Sequence, residues 1–303
     1  MTVSSRIHRA VVGALVAVLA ACSSAAAPAS DTEPVATADF PVTVGSLTLD
    51  ARPERIVSLS PTATEMLFAI GAGPQVVAVD EYSTHPQEAV DLGTALSGFE
   101  PNIEAISGFD PDLVVVSYDP GSLVEQLGSL GIPVFMAPAV GDLEGMYAQM
   151  RELGALTGNA GGAEVVEADM VNRIAVAVYG AEATGQTYFY ELDDTLYSLT
   201  SRTFVGSLMA LFGLENIADG VEEGNDYPQL SAEVVVTADP DWIFLADTKC
   251  CGQSAETVAA RDGWADLSAV VGGRVVELDD DVASRWGPRT VELVEAVAAA
   301  LSR

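Results

Sequence analysis

The sequence predicts an α/β protein of two similar lobes, each a parallel sheet covered by helices, joined by one long helix. Three observations carry this. A strand, helix, strand grammar recurs along the chain, one motif appears twice at matching places in two halves, and an unbroken stretch of helical spacing lies between them.

The chain opens with a leader. Arg6, His8 and Arg9 make a cationic start, and Ala10 to Ala20 form an apolar run of signal-peptide length, too short to span a bilayer as a stable helix. Residues 1–21 are therefore expected to be removed. Leu19-Ala20-Ala21-Cys22 resembles the bacterial lipobox, in which the cysteine thiol receives a diacylglycerol and becomes the new N-terminus. Residues 22–53 then read as the lipidated Cys22, a flexible tether rich in Ala, Ser, Thr and Pro, and a lead-in to the folded body.

The amino-terminal lobe is expected over residues 54–140. Ile56 to Leu59 is a short β-rich run, Ser60 can cap a helix with Pro61 at its first position, Thr62 to Ile70 has helical spacing, and Gly71 stops it. Val76 to Val79 is the next strand. The pattern returns with a helix over Ser122 to Leu130, a stop at Gly131 and a buried strand over Ile132 to Met136. Residues 141–182 form the connecting segment, in which Ala160 to Val178 is spaced for one long helix. A single helix acts as a stiff strut and predicts limited closure. Residues 183–303 form the carboxy-terminal lobe.

The doubled motif is specific. Glu104 stands six residues before Asp110-Pro111-Asp112-Leu113-Val114-Val115, and Glu233 six before Asp239-Pro240-Asp241-Trp242-Ile243-Phe244. In each copy a short helix carrying the glutamate leads through Asp-Pro-Asp into a buried strand, which gives the two glutamates equivalent places on two half-proteins.

Composition narrows the function. Lys and Arg number 13 against 44 Asp and Glu, for a net charge of −31, and Lys249 is the only lysine, so a phosphate backbone has little to bind and nucleic acid is excluded as a partner. The acidic surface favours a partner with a basic face. There is no Gly-x-Ser-x-Gly elbow, His-Glu-x-x-His, phosphate loop or dinucleotide glycine pattern, and an enzyme is not expected. With Cys22 lipidated, Cys250 and Cys251 remain as an even pair in an oxidising space; they read as a vicinal disulfide, the alternatives being two free thiols or a soft-metal site.

From Arg55-Ile56-Val57-Ser58-Leu59-Ser60-Pro61 through Gly213-Leu214-Glu215-Asn216-Ile217 to Gly287-Pro288-Arg289, the chain resembles the binding proteins of ABC importers for ferric siderophores, haem and vitamin B12. The resemblance implies two Rossmann-like lobes on a rigid backbone helix, the class III architecture of periplasmic binding proteins. It implies that Glu104 and Glu233 dock onto arginines of the permease, and that a metal chelate, a ferric siderophore or cobalamin, binds between the lobes. The vitamin B12-binding relative places Tyr82, Tyr197 and Tyr227 as cleft aromatics and Asp281 and Arg285 as polar pocket residues. Arg285 would hold an anionic chelate or pair with one of Asp279 to Asp281; Arg202, Lys249, Tyr118 and Phe99 are weaker candidates.

Departures from the pattern limit the ligand. The mature chain has one histidine, His85, before Pro86, which leaves a haem site without an evident His axial ligand, although a tyrosinate stays open. No arginine stands in the amino-terminal pocket as in ferric hydroxamate binders, and the low His count argues against a bare metal ion. The expectation is thus a monomeric lipoprotein on the extracytoplasmic face of the cell membrane. It would have no intrinsic cofactor or metal and would serve a permease dimer with its ATPase. The alternative is a haem- or bare-metal-ion-binding lipoprotein of an ABC importer, or a non-transport enzyme or sensor lipoprotein.

Overall fold

The computed structural model describes residues 40–94 and 96–303. The leader, Cys22 and the tether lie outside the described residues, so the lipidation expected there does too.

A small antiparallel hairpin of β1 (Val42–Val44) and β2 (Leu47–Leu49) enters the fold beside the helices. The first sheet follows, from β3 (Ile56–Leu59), β4 (Val76–Val79), β5 (Leu113–Val116) and β6 (Val134–Met136), all parallel in the order β4-β3-β5-β6. Its helices are α1 (Pro61–Ala69), α2 (Gln87–Val90), α3 (Ile103–Ser107) and α4 (Leu123–Ser129). The start of α1 is as the sequence anticipates: the Ser60 side chain accepts from the Ala63 N–H, Pro61 opens the helix, and Gly71 follows at φ 91°. Two boundaries differ. The helix expected from Ser122 begins at Leu123, because Ser122 is left-handed at φ 60° and Asp119 supplies the cap by accepting from the Val124 N–H. The strand expected from Ile132 begins at Val134, because Pro133 has no N–H for the ladder.

Two helices then lie between the sheets, α5 (Leu143–Thr157) and α6 (Ala160–Val178). The second covers the stretch whose spacing marked it as one long helix and is about 28 Å in length. Gly162 on α6 meets α1 so closely that an added Cβ would sit 2.0 Å from the Ile70 carbonyl oxygen. The second sheet contains β7 (Thr187–Glu191), β8 (Glu215–Asn216), β9 (Trp242–Leu245) and β10 (Val275–Glu277), parallel in the order β10-β9-β7-β8. With it come α7 (Phe204–Ala210), α8 (Ala232–Ala238), α9 (Ala255–Ala259), α10 (Ser268–Val271), α11 (Asp280–Ala283) and the terminal α12 (Thr290–Leu301), which packs on α6.

Alternation along the strands divides the interior into three. Leu113 and Val115 of β5, with Tyr188, Tyr190 and Phe244 of the second sheet, face one continuous core shared with α1, α5, α6 and α12. Val114 and Val116 face a smaller core under α3 and α4, and Phe189, Ile243 and Leu245 face another around Trp264. The inner faces of both sheets therefore share a single apolar interior.

The doubled Asp-Pro-Asp motif is a doubled corner. Asp110 and Asp239 are both left-handed, at φ 46° and φ 44°. One Asp112 carboxylate oxygen accepts from the Glu54 and Arg55 N–H groups, just ahead of β3, and one Asp241 oxygen accepts from the Thr187 N–H at the start of β7. In each lobe the second aspartate thus ties the incoming strand to the strand beside it.

Candidate functional site

In open parallel sheets ligands bind beyond the carboxyl ends of the strands. At that end of the first sheet Leu59, Asp80, Tyr82, Gly98, Phe99 and Tyr118 line a hollow of about 370 Å³. Its wall is aromatic. Tyr82 and Phe99 meet edge to face with ring centres 5.5 Å apart, and Phe99 and Tyr118 lie 6.1 Å apart. These rings are nevertheless open to solvent, with Phe99 63% exposed. Large apolar surface of this kind, unburied by its own chain, marks a place where something else packs.

Asp80, one residue beyond β4, is a group that motif reading overlooked. It is 2% exposed; its Oδ1 accepts from the Tyr82 N–H at 2.8 Å, while Oδ2 has no partner among the described residues. Burial pushes the carboxyl up to about 6, against the pull of hydrogen bonds from Tyr82 and Ser83 and of the Arg285 charge.

Tyr197 and Tyr227 lie on the other lobe, on two segments that run antiparallel beyond β7. Tyr197 is bridged to Gln229, Ser198 donates to the Pro228 carbonyl and Thr200 to that of Asp226. This register sets Tyr197 diagonally from Tyr227 on the exposed face of the ribbon, with Ser198 and Pro228 turned inward. Burial, then the Asp226 charge, pushes the Tyr227 phenol up. Among the described residues no ring contact joins this pair to the Tyr82 group.

Of the candidate cations, Arg285 faces inward, whereas Lys249 and Arg202 are exposed. Arg285 donates to Glu65 at 2.7 Å, to Asp281 at 2.7 Å and to the Tyr82 carbonyl at 3.0 Å, and its side chain is 11% exposed. Glu65, on α1 and 2% exposed, also receives Arg289 at 2.6 Å. Arg285 and Arg289 of the carboxy-terminal part thus hold a buried glutamate of the amino-terminal lobe. Where the sequence suggested an arginine reaching for an anionic chelate, the guanidinium forms the ion pair with Asp281 that was its alternative, and adds one with Glu65. Asp281 also takes Lys249 at 3.2 Å, Lys249 pairs with Asp279 at 2.8 Å, and Arg202 pairs with Asp226 at 2.6 Å.

At the carboxyl end of the second sheet Glu191 and Asp247 are fully buried. Arg261 grips Glu191 with both of its terminal nitrogens, whereas neither Asp247 oxygen has a partner among the described residues. Burial first, then the Glu191 charge, pushes Asp247 up to about 7. The following loop hangs on Asp280, whose carboxylate accepts from the Lys249 and Cys250 N–H groups. In it Cys250 and Cys251 are unbridged, the arrangement that stood as the alternative to a vicinal disulfide. Adjacent cysteines can be bridged only through a small ring that departs from relaxed geometry. Burial and the neighbouring Cys251 push the Cys250 thiol up to about 12. Among the described residues no group of three or more His, Cys, Asp or Glu is arranged to hold a metal ion.

Glu104 and Glu233 occupy matching positions. Each lies in the first turn of a short helix, α3 or α8, capped by the side chain of Asn102 or Ser231, and each is exposed with no ion pair among the described residues.

Asp80, Glu65, Glu191 and Asp247 had a signal in the sequence. Three of them end or closely follow a buried strand, and Glu65 interrupts the apolar run of α1. An acid in such a place requires a partner or a purpose.

Comparison with known proteins agrees with this architecture. The chain is 31% identical over 279 residues to the cobalamin-binding protein of Halobacterium salinarum, covering 88% of this chain and 75% of that one. It is 28% identical over 299 residues to YvrC of Bacillus subtilis, an uncharacterized ABC transporter substrate-binding lipoprotein, covering 92% and 91%. The crystal structure of the periplasmic vitamin B12 binding protein BtuF of Vibrio cholerae superposes with a TM-score of 0.69 at 28% identity, covering 82% of this chain and 97% of that one. Residues 56–282 match the model of the periplasmic binding protein family, and the chain belongs to that family.

Proposed function

We propose that this protein is the substrate-binding component of an ABC importer, capturing a metal chelate between its lobes and delivering it to a permease dimer driven by its ATPase. The observation that carries the reading is the matched pair Glu104 and Glu233, two exposed carboxylates without ion-pair partners among the described residues, on equivalently capped helices. Such a pair suits two basic sockets on a symmetric membrane partner, where complementary charge sets register and speeds encounter.

The cleft supports the chelate. Open rings at Tyr82, Phe99 and Tyr118 on one lobe, and at Tyr197 and Tyr227 on the other, suit a flat macrocycle. Arg285, Lys249 and Arg202 are engaged by carboxylates of the chain itself, which weighs toward a corrinoid over an anionic ferric siderophore. The cobalamin-binding relatives support the same cargo. Asp281 and Arg285 act in this reading as the floor that positions Tyr82. Cys22 carries the lipid that keeps the protein at the extracytoplasmic membrane face, and the protein works as a monomer. No helix among the described residues is long and apolar enough to cross a membrane.

The test is uptake of labelled cobalamin in cells carrying Glu104→Ala, Glu233→Ala or both. Uptake is expected to fall in each single variant and be lost in the double, with the affinity of the purified protein for the chelate unchanged. Normal uptake by the double variant would remove the docking role.

A further inference from the structure

The unpartnered oxygen of Asp80 belongs to a side chain that lines the aromatic hollow. The side chain is 2% exposed, forms part of the wall of the aromatic hollow, and has Oδ1 satisfied by the Tyr82 N–H while Oδ2 has no donor among the described residues. A buried carboxylate oxygen without a donor is costly, more so than a neutral acceptor. Gly98 approaches it closely. An added Cβ there would lie 3.0 Å from the Leu59 carbonyl oxygen and 3.6 Å from Oδ2.

We propose that Asp80 determines cargo specificity: Oδ2 accepts a hydrogen bond from a donor on the rim of the bound macrocycle, so that the cleft favours a ring edged with neutral amides over one edged with carboxylates. The inference rests on reading the cleft as a chelate site. An amide rim supplies N–H donors to Oδ2 while its ring packs on Phe99 and the tyrosines. A carboxylate rim brings like charge against Asp80 and finds Arg285, Lys249 and Arg202 already paired.

The same atom gives a pH signature. The groups that face Asp80 are Arg285 from the other part of the chain, the hydrogen-bonding Tyr82 and Ser83, and Tyr118 across the hollow, whose phenol burial and Glu100 push up. Because burial outweighs the others, the carboxyl titrates at about 6. Well above that pH Oδ2 is an acceptor. Below it the carboxyl is neutral and can donate, which removes the preference for an amide rim.

The experiment compares cyanocobalamin with its derivative in which the rim amides are hydrolysed to carboxylates, measuring dissociation constants by intrinsic fluorescence for the full chain at about pH 7.5 and about pH 5. Wild type is expected to prefer the amide form at the higher pH and to lose much of that preference at the lower. Asp80→Asn keeps the shape but turns an acceptor toward the ligand into a donor. At the higher pH it is expected to bind the amide form roughly ten- to a hundredfold more weakly, with the carboxylate form little changed and no loss of preference on acidification. The proposal is overturned if folded Asp80→Asn binds both forms as wild type does, if both weaken equally, or if wild-type preference is the same at both pH values. The last arm needs no variant and stands even if Asp80→Asn fails to fold. Wild type that binds a ferric siderophore and neither corrinoid would overturn the Asp80 role while leaving the importer reading intact; binding of no chelate would overturn both.

Discussion

The two lobes are built alike and finished differently. Each has a four-stranded parallel sheet, a short capped helix carrying an exposed glutamate, and an Asp-Pro-Asp corner whose first residue is left-handed and whose second ties two strands together. At the carboxyl ends of the strands the likeness stops. The amino-terminal lobe has an open aromatic hollow with one buried acid, Asp80, whereas the carboxy-terminal lobe has two buried acids, Glu191 and Asp247, one of them held by Arg261. The shared parts are those that build and present a sheet; the unshared parts lie at the carboxyl ends of the strands. A duplicated scaffold thus presents two equivalent glutamates while the carboxyl ends of its two sheets differ.

The largest effect on this comparison should come from the bond between the two halves. Glu65→Ala leaves Arg285 and Arg289 without the carboxylate that both hold, and is expected to cost about 3 to 5 kcal/mol in chemical denaturation, as for other broken buried pairs. A loss below about 1 kcal/mol would show that the arginines find other partners and that the lobes do not depend on this contact.

Next comes the asymmetry of the buried acids. Asp247 is pushed up to about 7, so the folded state holds its proton more tightly than the unfolded chain does. Its favourable contribution is fully present below the ordinary carboxylate range and is lost as pH rises through about 7. Asp247→Asn should therefore flatten the decline in stability between about pH 5 and pH 8 by on the order of 2 kcal/mol, read from denaturant midpoints across that range. An unchanged slope would mean that Asp247 meets water or another donor when ionised.

The two corners sharpen the likeness. Asp112→Ala and Asp241→Ala each remove the acceptor for a strand-edge N–H, and each is expected to cost about 1 to 2 kcal/mol in thermal or urea unfolding. A difference between them well above 1 kcal/mol would break the equivalence of the two copies. The smallest effect belongs to Asp226→Ala, which releases Arg202 from an exposed pair and should shift stability by less than about 1 kcal/mol. If that variant binds an anionic ferric chelate more tightly than wild type in a fluorescence titration, the pairing of the cleft cations is what turns such ligands away.

Much of the scaffold was legible in the sequence because its signals are local. Ile56 to Leu59 and Val76 to Val79 are short β-rich runs bounded by capping and stop residues, and all eight are strand residues in the fold. Ala160 to Val178 is helical throughout, since its spacing has no interruption. Where the reading slipped, at Ser122 and Ile132, a left-handed backbone and a proline decided the boundary within a residue or two. Of the candidate site, the tyrosines and the two glutamates named from the sequence are exposed. The partners of Arg285 were not legible, because Glu65 stands 220 residues away and only packing brings the two together.

By itself the sequence determined the strand and helix grammar, the doubled Asp-Pro-Asp corner and the excess of acid over base, all of which follow from neighbours within a few residues or from simple composition. Only the tertiary structure decided that Arg285 turns inward and that one Asp80 oxygen, in an aromatic wall, has no partner among the described residues. Those outcomes depend on which distant side chains share a buried space, where an unpaired charge is costly and a single available partner settles its orientation.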